Sequence, residues 1–308
     1  MKFLLTSLLL LAFSVPCFGQ TEPIRKVTLP LEVQENLELE ISEVPDEIKG
    51  KVWNRWTSDN FTVLSLNDAQ AQYLHKHLEL VKVWVFSRWG LYDVPFSAEC
   101  QLICVDDPEL FKKMFKIDST RVEIHRAPDG SIDRAIIFVL INDAPSHTIP
   151  VPLTEVCLAE FAQRYEQDFP WWAYRGMGLM NGALDQIRSS LNEFAPVVEQ
   201  NENVYFSEGL LNMTKTEYMR LDDDKKRLFD QCAMVFCLMI RQEFGENNFH
   251  HFLNKSVSVS GNDALIDVLG FEDNEDFDRT FRRYMVDLAR DITAGDTPDS
   301  YLQIQEAE

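Results

Sequence analysis

Residues 154–178 read TEVCLAEFAQRYEQDFPWWAYRGMG, bringing carboxylates, an arginine and several aromatic rings into two short stretches separated by Pro170. Glu155 could act as a general base, or as half of an ion pair with Arg175 if two helices carried them face to face. A base needs a partner to do hydrolytic work, either a metal-activated water or a second carboxylate. Glu160 and Asp168 are the nearby acids, and no motif singles out either. Trp171, Trp172 and Tyr174 could line a cleft or pack its floor, the commoner fate of aromatics at helical spacing.

The rest of the chain offers little competing chemistry. His75, His77, His125, His147, His250 and His251 lie far from this stretch in sequence, and the adjacent pair would diverge by about 100° around a helix. Beyond Cys17 the cysteines are Cys100, Cys104, Cys157, Cys232 and Cys237, an odd number without a CxxC pair. Cys100 and Cys104 share one face of an apparent strand, too far apart along it to bridge, so buried free thiols are expected. Gly176, Gly178 and Gly182 are spaced one residue too long for a dinucleotide fingerprint and suit close helix packing better. No GxSxG elbow or phosphate-binding loop occurs, and the acidic run from Glu272 to Asp278 lacks the glycine and terminal glutamate of a calcium loop. Asn60, Asn212 and Asn254 stand in N-x-S/T sequons.

The elements that must position Glu155 and Arg175 follow from hydrophobic period and turn residues. A strand is predicted at about 60–66, a helix at 68–88, a strand within 97–107, a short helix after Pro108, and a hairpin across Asp129-Gly130. The helix bearing Glu155 follows at about 151–167, and a second opens after Pro170. From 214 the chain reads as helical, with segments at 222–244, 246–256, 262–269 and 273–292, and with Gly245 and Gly270 as C-caps. The fold class is therefore α+β, a small mixed sheet with the two motif helices followed by a mostly helical C-terminal part. Residues 53–185 and 186–292 are expected to form these two subdomains. Residues 20–52, interrupted by Pro30 and Pro45, read as an extended lead-in, and 293–308 as an acidic tail.

This order of elements and the 154–178 stretch resemble the peptidase-MA-like, gluzincin-type zinc metallopeptidases. Their pattern is H-E-x-x-H on one helix, then P-x-W-x-x-E-G opening the next, with both histidines and the later glutamate holding zinc. Glu155, Pro170, Trp172 and Gly176 match it. Thr154 and Leu158 stand at the imidazole positions and Arg175 at the third ligand, so a cation would meet a positive charge. The resemblance covers about 53–292 and implies a zincin-like fold that holds no metal and needs no cofactor. Glu155 is then a vestigial base, and the cleft is kept as a binding or scaffolding surface. A metal-independent hydrolase using Glu155 with an unidentified second carboxylate is the alternative.

Composition bounds the partners. The 308-residue chain is 45% hydrophobic, enough to bury a substantial core, and carries a formal charge of −21. Most of such a surface repels nucleic acid and anionic membranes, leaving a protein or peptide as the expected partner. Met1-Lys2 precede an apolar run from Phe3 to about Phe18, which reads as a signal peptide cleaved after Gly19. The mature chain is expected to be periplasmic or extracellular, with no transmembrane segment. Lipid anchoring at Cys17 is disfavoured by Pro16 immediately before it.

Overall fold

A computed structural model describes residues 45–48, 51–117, 119–141, 148–166, 168–200 and 204–295. The signal segment 1–19, Cys17, nearly all of the 20–52 lead-in, His147 and the tail beyond 295 lie outside the described residues.

The fold is α+β. Strands β1 (Asn54–Thr57), β2 (Phe61–Ser65), β3 (Cys100–Val105), β4 (Arg121–Arg126) and β5 (Ile132–Leu140) form one mixed sheet in the order β1-β2-β3-β5-β4. β2, β3 and β5 run parallel, and β1 and β4 close the two edges antiparallel. β3 is buried throughout, as a central parallel strand covered on both faces must be.

Side-chain alternation divides the core. Cys100, Leu102, Cys104, Ala135, Ile137 and Val139 point to one face. Ile103, Val105, Ile136 and Phe138 point to the other. Helix α1 (Asp68–Arg88) covers the first face. Helix α2 (Pro108–Phe115) covers the second through Leu110, Phe111 and Met114. Both helices begin where the sequence says they should. Asn67 accepts the Gln70 N–H, and Asp107 accepts those of Glu109 and Leu110 with Pro108 in the first turn.

The turn between β1 and β2 is tied down from α1. Glu79 accepts hydrogen bonds from Ser58 Oγ (2.8 Å), the Asn60 backbone (3.0 Å) and Asn60 Nδ2 (2.8 Å). Asn60 Oδ1 in turn accepts the Phe96 N–H at 2.8 Å, so this side chain is buried and fully engaged. In the β4–β5 hairpin Gly130 takes φ 87°, and Asp129 accepts from both the backbone and the hydroxyl of Ser131.

Helix α3 (Pro150–Arg164) packs on the first sheet face and α4 (Trp171–Met180) follows it. The chain continues through α5 (Leu184–Glu199), α6 (Ser207–Leu211), α7 (Lys215–Met219) and α8 (Asp223–Met239). A π-helical turn (Ile240–Phe244) then leads to α9 (Glu246–Ser256), α10 (Gly261–Leu269) and α11 (Asn274–Ala294). One buried cluster runs from Phe61 in β2 to Ala289 in α11. Gly270 is a left-handed C-cap, as expected. Gly245 is also a C-cap, its N–H donating to the Arg241 carbonyl at 3.1 Å, but it combines φ 81° with ψ 162°, a conformation essentially reserved for glycine, at the joint between the π turn and α9. Four elements had no counterpart among the segments predicted individually: β1, α5, α6 and α7. The tail expected from 293 begins later, because α11 continues to Ala294.

All five described cysteines are buried and unbridged. Gly176 explains its own identity. A Cβ there would collide with the Ala233 carbonyl and stand 2.8 Å from Cys237 Sγ, so α4 and α8 touch backbone to backbone. Gly176→Ala should therefore destabilise the protein by about 1–3 kcal/mol despite alanine's better helix propensity. Urea unfolding that found G176A unchanged or stabilised would contradict this contact.

Candidate functional site

The site is a groove of about 800 Å³ between an edge of the sheet and the helices. Its one wall is β4 with its approach, seven consecutive residues from Ser119 to His125. Facing it are Val151, Pro152 and Glu155 of α3, Trp171, Tyr174 and Arg175 of α4, and Lys215 and Tyr218 of α7. A neighbouring recess of about 490 Å³ shares Glu155, Trp171, Tyr174 and Lys215 and adds Ala159 and Asp168. Glu155 thus stands where the two spaces meet.

Charge at the junction is paired. Glu155 is only 8% exposed and lies 3.8 Å from Arg175 Nη1 and 3.6 Å from Lys215 Nζ. Arg175 makes its closer contacts elsewhere, donating from Nε (2.8 Å) and Nη2 (2.6 Å) to the two oxygens of Asp230 on α8. Tyr218 Oη also donates to Asp230 at 3.1 Å, and Arg175 lies 5.3 Å from the Tyr218 ring centroid. Burial by itself would lower the Arg175 guanidinium, but the Asp230 hydrogen bonds and charge outweigh it, raising Arg175 above the ordinary arginine value. Burial likewise pushes the Tyr174 and Tyr218 phenols well above 10. Both are neutral donors at physiological pH.

The aromatic residues of α4 separate by role. Trp172 is fully buried against Phe236 (4.9 Å) and Phe252 (5.6 Å), forming floor rather than lining. Trp171 and Tyr174 line the groove, their centroids 5.4 Å apart, with Lys215 Nζ 5.1 Å from the Trp171 ring.

The two remaining motif positions point away from the groove. Thr154 and Leu158 are fully buried, and Thr154 Oγ1 donates to the Pro150 carbonyl (2.7 Å) while accepting from Asn181 Nδ2 (2.7 Å). The α3 residues that do line these spaces lie one turn apart along the helix, Val151, Glu155 and Ala159, with Pro152 beside them. Among the described residues no three His, Cys, Asp or Glu side chains converge as a metal-binding group.

The two acids weighed as partners for Glu155 are also separated. Asp168 lines the smaller recess with it, whereas Glu160 is buried beneath α3, accepting from the backbone and hydroxyl of Ser97 at 2.8 Å each. Beneath the same helix Lys82 is buried against Asp93 at 2.5 Å.

Sequence reasoning missed Asp230, Lys215, Tyr218 and the whole β4 wall, including His125, which sits 3.6 Å from Glu123 in the groove. Asp230 did carry a signal. It stands two residues before the apolar run CAMVFCLMI, next to a stretch where a buried carboxylate needs a partner.

The chain matches no protein-family model and no curated protein. Among the described residues no helix is long and apolar enough to cross a membrane.

Two outcomes follow. Asp230→Ala leaves Arg175 without its main partner and should cost about 2–4 kcal/mol, the quarter exposure of Arg175 moderating the loss. The double variant Arg175→Met/Asp230→Leu should recover most of it, as denaturant titration of all three would reveal. For Glu160, burial raises the carboxyl above its ordinary 4.5, so ionisation opposes folding. The penalty is absent below that pH, grows as the unfolded-state carboxyl ionises while the native one holds its proton, and is complete once the native carboxyl ionises too. Glu160→Gln should therefore gain stability relative to the parent as pH rises above 4.5. A stability difference that did not change with pH would refute it.

Proposed function

We propose that this chain is an exported, catalytically inactive metallopeptidase-like protein whose groove binds an extended segment of a protein or peptide. The carrying observation is the wall formed by β4. Among the described residues this edge strand pairs with β5 alone, and its length borders the groove. A strand edge with unpaired backbone groups recognises an extended chain by adding it to the sheet. Trp171, Tyr174 and the stem of Lys215 supply apolar surface on the opposite wall for the side chains of such a segment.

The pairing of charges supports loss of catalysis. In the motif alignment Thr154 and Leu158 stand at the two imidazole positions, Arg175 at the third ligand, and Glu155 at the vestigial base. Glu155 faces Arg175, the third ligand position, across 3.8 Å. An ion pair stands where a cation would have to sit. The alternative, a hydrolase coupling Glu155 to Asp168, is weaker because Arg175 and Lys215 both address the Glu155 oxygens.

Selection of displayed peptides against the purified chain should yield extended binders, and methylating alternate backbone amides of a binder should weaken it at least tenfold. Retention of full affinity by such N-methylated peptides would exclude strand addition. Separately, the protein should contain no stoichiometric zinc and cleave none of these peptides; chelator-sensitive cleavage would overturn the inactive reading.

A further inference from the structure

Helix α1 is apolar on two sides, and the core uses one of them. Ala71, Leu74, Leu78, Val85 and Phe86 are buried. On the opposite side Tyr73, His77, Leu80, Trp84 and Ser87 are exposed, repeating at intervals of four, three, four and three residues. That repeat draws a straight seam along a helix and is the spacing by which one helix packs against another. Leu80 at its middle is 63% exposed, Tyr73 47%, the flanking Val83 46% and Trp84 40%.

The seam is ordered before anything covers it. The Tyr73 and His77 rings stack at 4.2 Å, His77 Nδ1 lies 2.7 Å from the Tyr73 carbonyl, and the Arg88 guanidinium lies 5.1 Å from the Trp84 centroid. Side chains already held in place lose little freedom on association. The charge of this face is as unusual as its hydropathy. The chain has a formal charge of −21, yet between Ala69 and Ser87 the one acid is Glu79, which is half-buried and spent on the turn at Asn60. Helix α11, also 21 residues long, shows the contrast: from Glu275 to Arg290 its exposed residues are all charged apart from Val286.

We infer that the outer face of α1 docks a second copy of this chain, the two α1 helices packing antiparallel about a two-fold axis at Leu80. A seam of this repeat is complemented by a helix with the same repeat, and α1 is the helix that exposes one among the described residues. Pairing about Leu80 is also self-complementary, because residues equally spaced from the axis face one another. Leu80 then meets Leu80, Lys76 meets the Trp84 indole, His77 meets Val83 and Tyr73 meets Ser87 of the second copy. Each lysine is placed on an aromatic face rather than against the other lysine. Two molecules of formal charge −21 repel in most orientations, and this acid-free face is where they touch at least electrostatic cost. A 21-residue helix is about 30 Å long and about 10 Å wide, small for a specific interface, so the dimer is reversible, with Kd of about 10–100 µM. Helix α1 contributes no residue to the groove or its recess, so this pairing stands apart from peptide binding.

Sedimentation velocity of the full chain between about 1 and 500 µM should show a monomer–dimer equilibrium. Leu80→Glu sets two carboxylates face to face at the axis and should raise Kd at least tenfold, with the circular dichroism spectrum unchanged because the side chain it replaces is exposed. The geometry is read from single cysteines joined by a short bis-maleimide, the described native cysteines all being buried. Leu80→Cys should crosslink to itself, whereas Tyr73→Cys should crosslink to Ser87→Cys in a mixture and not to itself. Should Leu80→Glu fail to fold, the crosslinks decide by themselves. A chain monomeric at the highest concentration, a dimer indifferent to Leu80→Glu, or Tyr73→Cys crosslinking to itself would overturn the inference.

Discussion

The approach of α4 to α8 at Gly176 is the constraint on which the rest of the molecule depends. With no side chain at that position, the two backbones come close enough for Arg175, one residue earlier, to engage Asp230 with both oxygens. That double contact fixes the guanidinium plane, leaving Nη1 near Glu155 and the Tyr218 ring beside it. Trp172, four residues before Gly176, seals the same contact from within against Phe236 and Phe252. One missing Cβ thus orients the floor, the ion pairs and one wall of the groove together.

The charged network is arranged for rigidity more than for reactivity. Asp230 receives three hydrogen bonds, and Glu155 receives two cations from different helices, so neither carboxylate is presented bare to the groove. An interior pair of this kind adds little net stability but penalises any arrangement that separates its members. The groove therefore has a fixed electrostatic lining on one side and the edge strand β4 on the other.

How much of this was legible in the sequence depended on whether local signals decided the outcome. Helices α1, α2, α9 and α10 carry caps or terminal glycines and were placed within a residue or two, as was the hairpin across Asp129-Gly130. β1 has four half-buried or exposed residues with no alternation to mark it, and becomes a strand only by pairing with β2. Which side of α3 borders the groove was not legible, because Thr154, Glu155, Leu158 and Ala159 are all buried and burial alone does not say which of them look into it. Asp230 and His125 reach the site from 55 and 50 residues away from Arg175, a proximity that only the assembled fold creates.

The turn at Asn60 carries a consequence for biosynthesis. Its side chain is spent inside the fold, donating to Glu79 and accepting from Phe96, yet Asn60 also begins a sequon. An oligosaccharide transferred there while the nascent chain was still extended would occupy the place of the Glu79 carboxylate and keep the first hairpin from closing on α1. Asn212 and Asn254 are exposed and would tolerate the same modification. The native state is thus compatible with sugar at two of its three acceptor sequences, and a secretory pathway that decorated all three would trap the chain before it could fold.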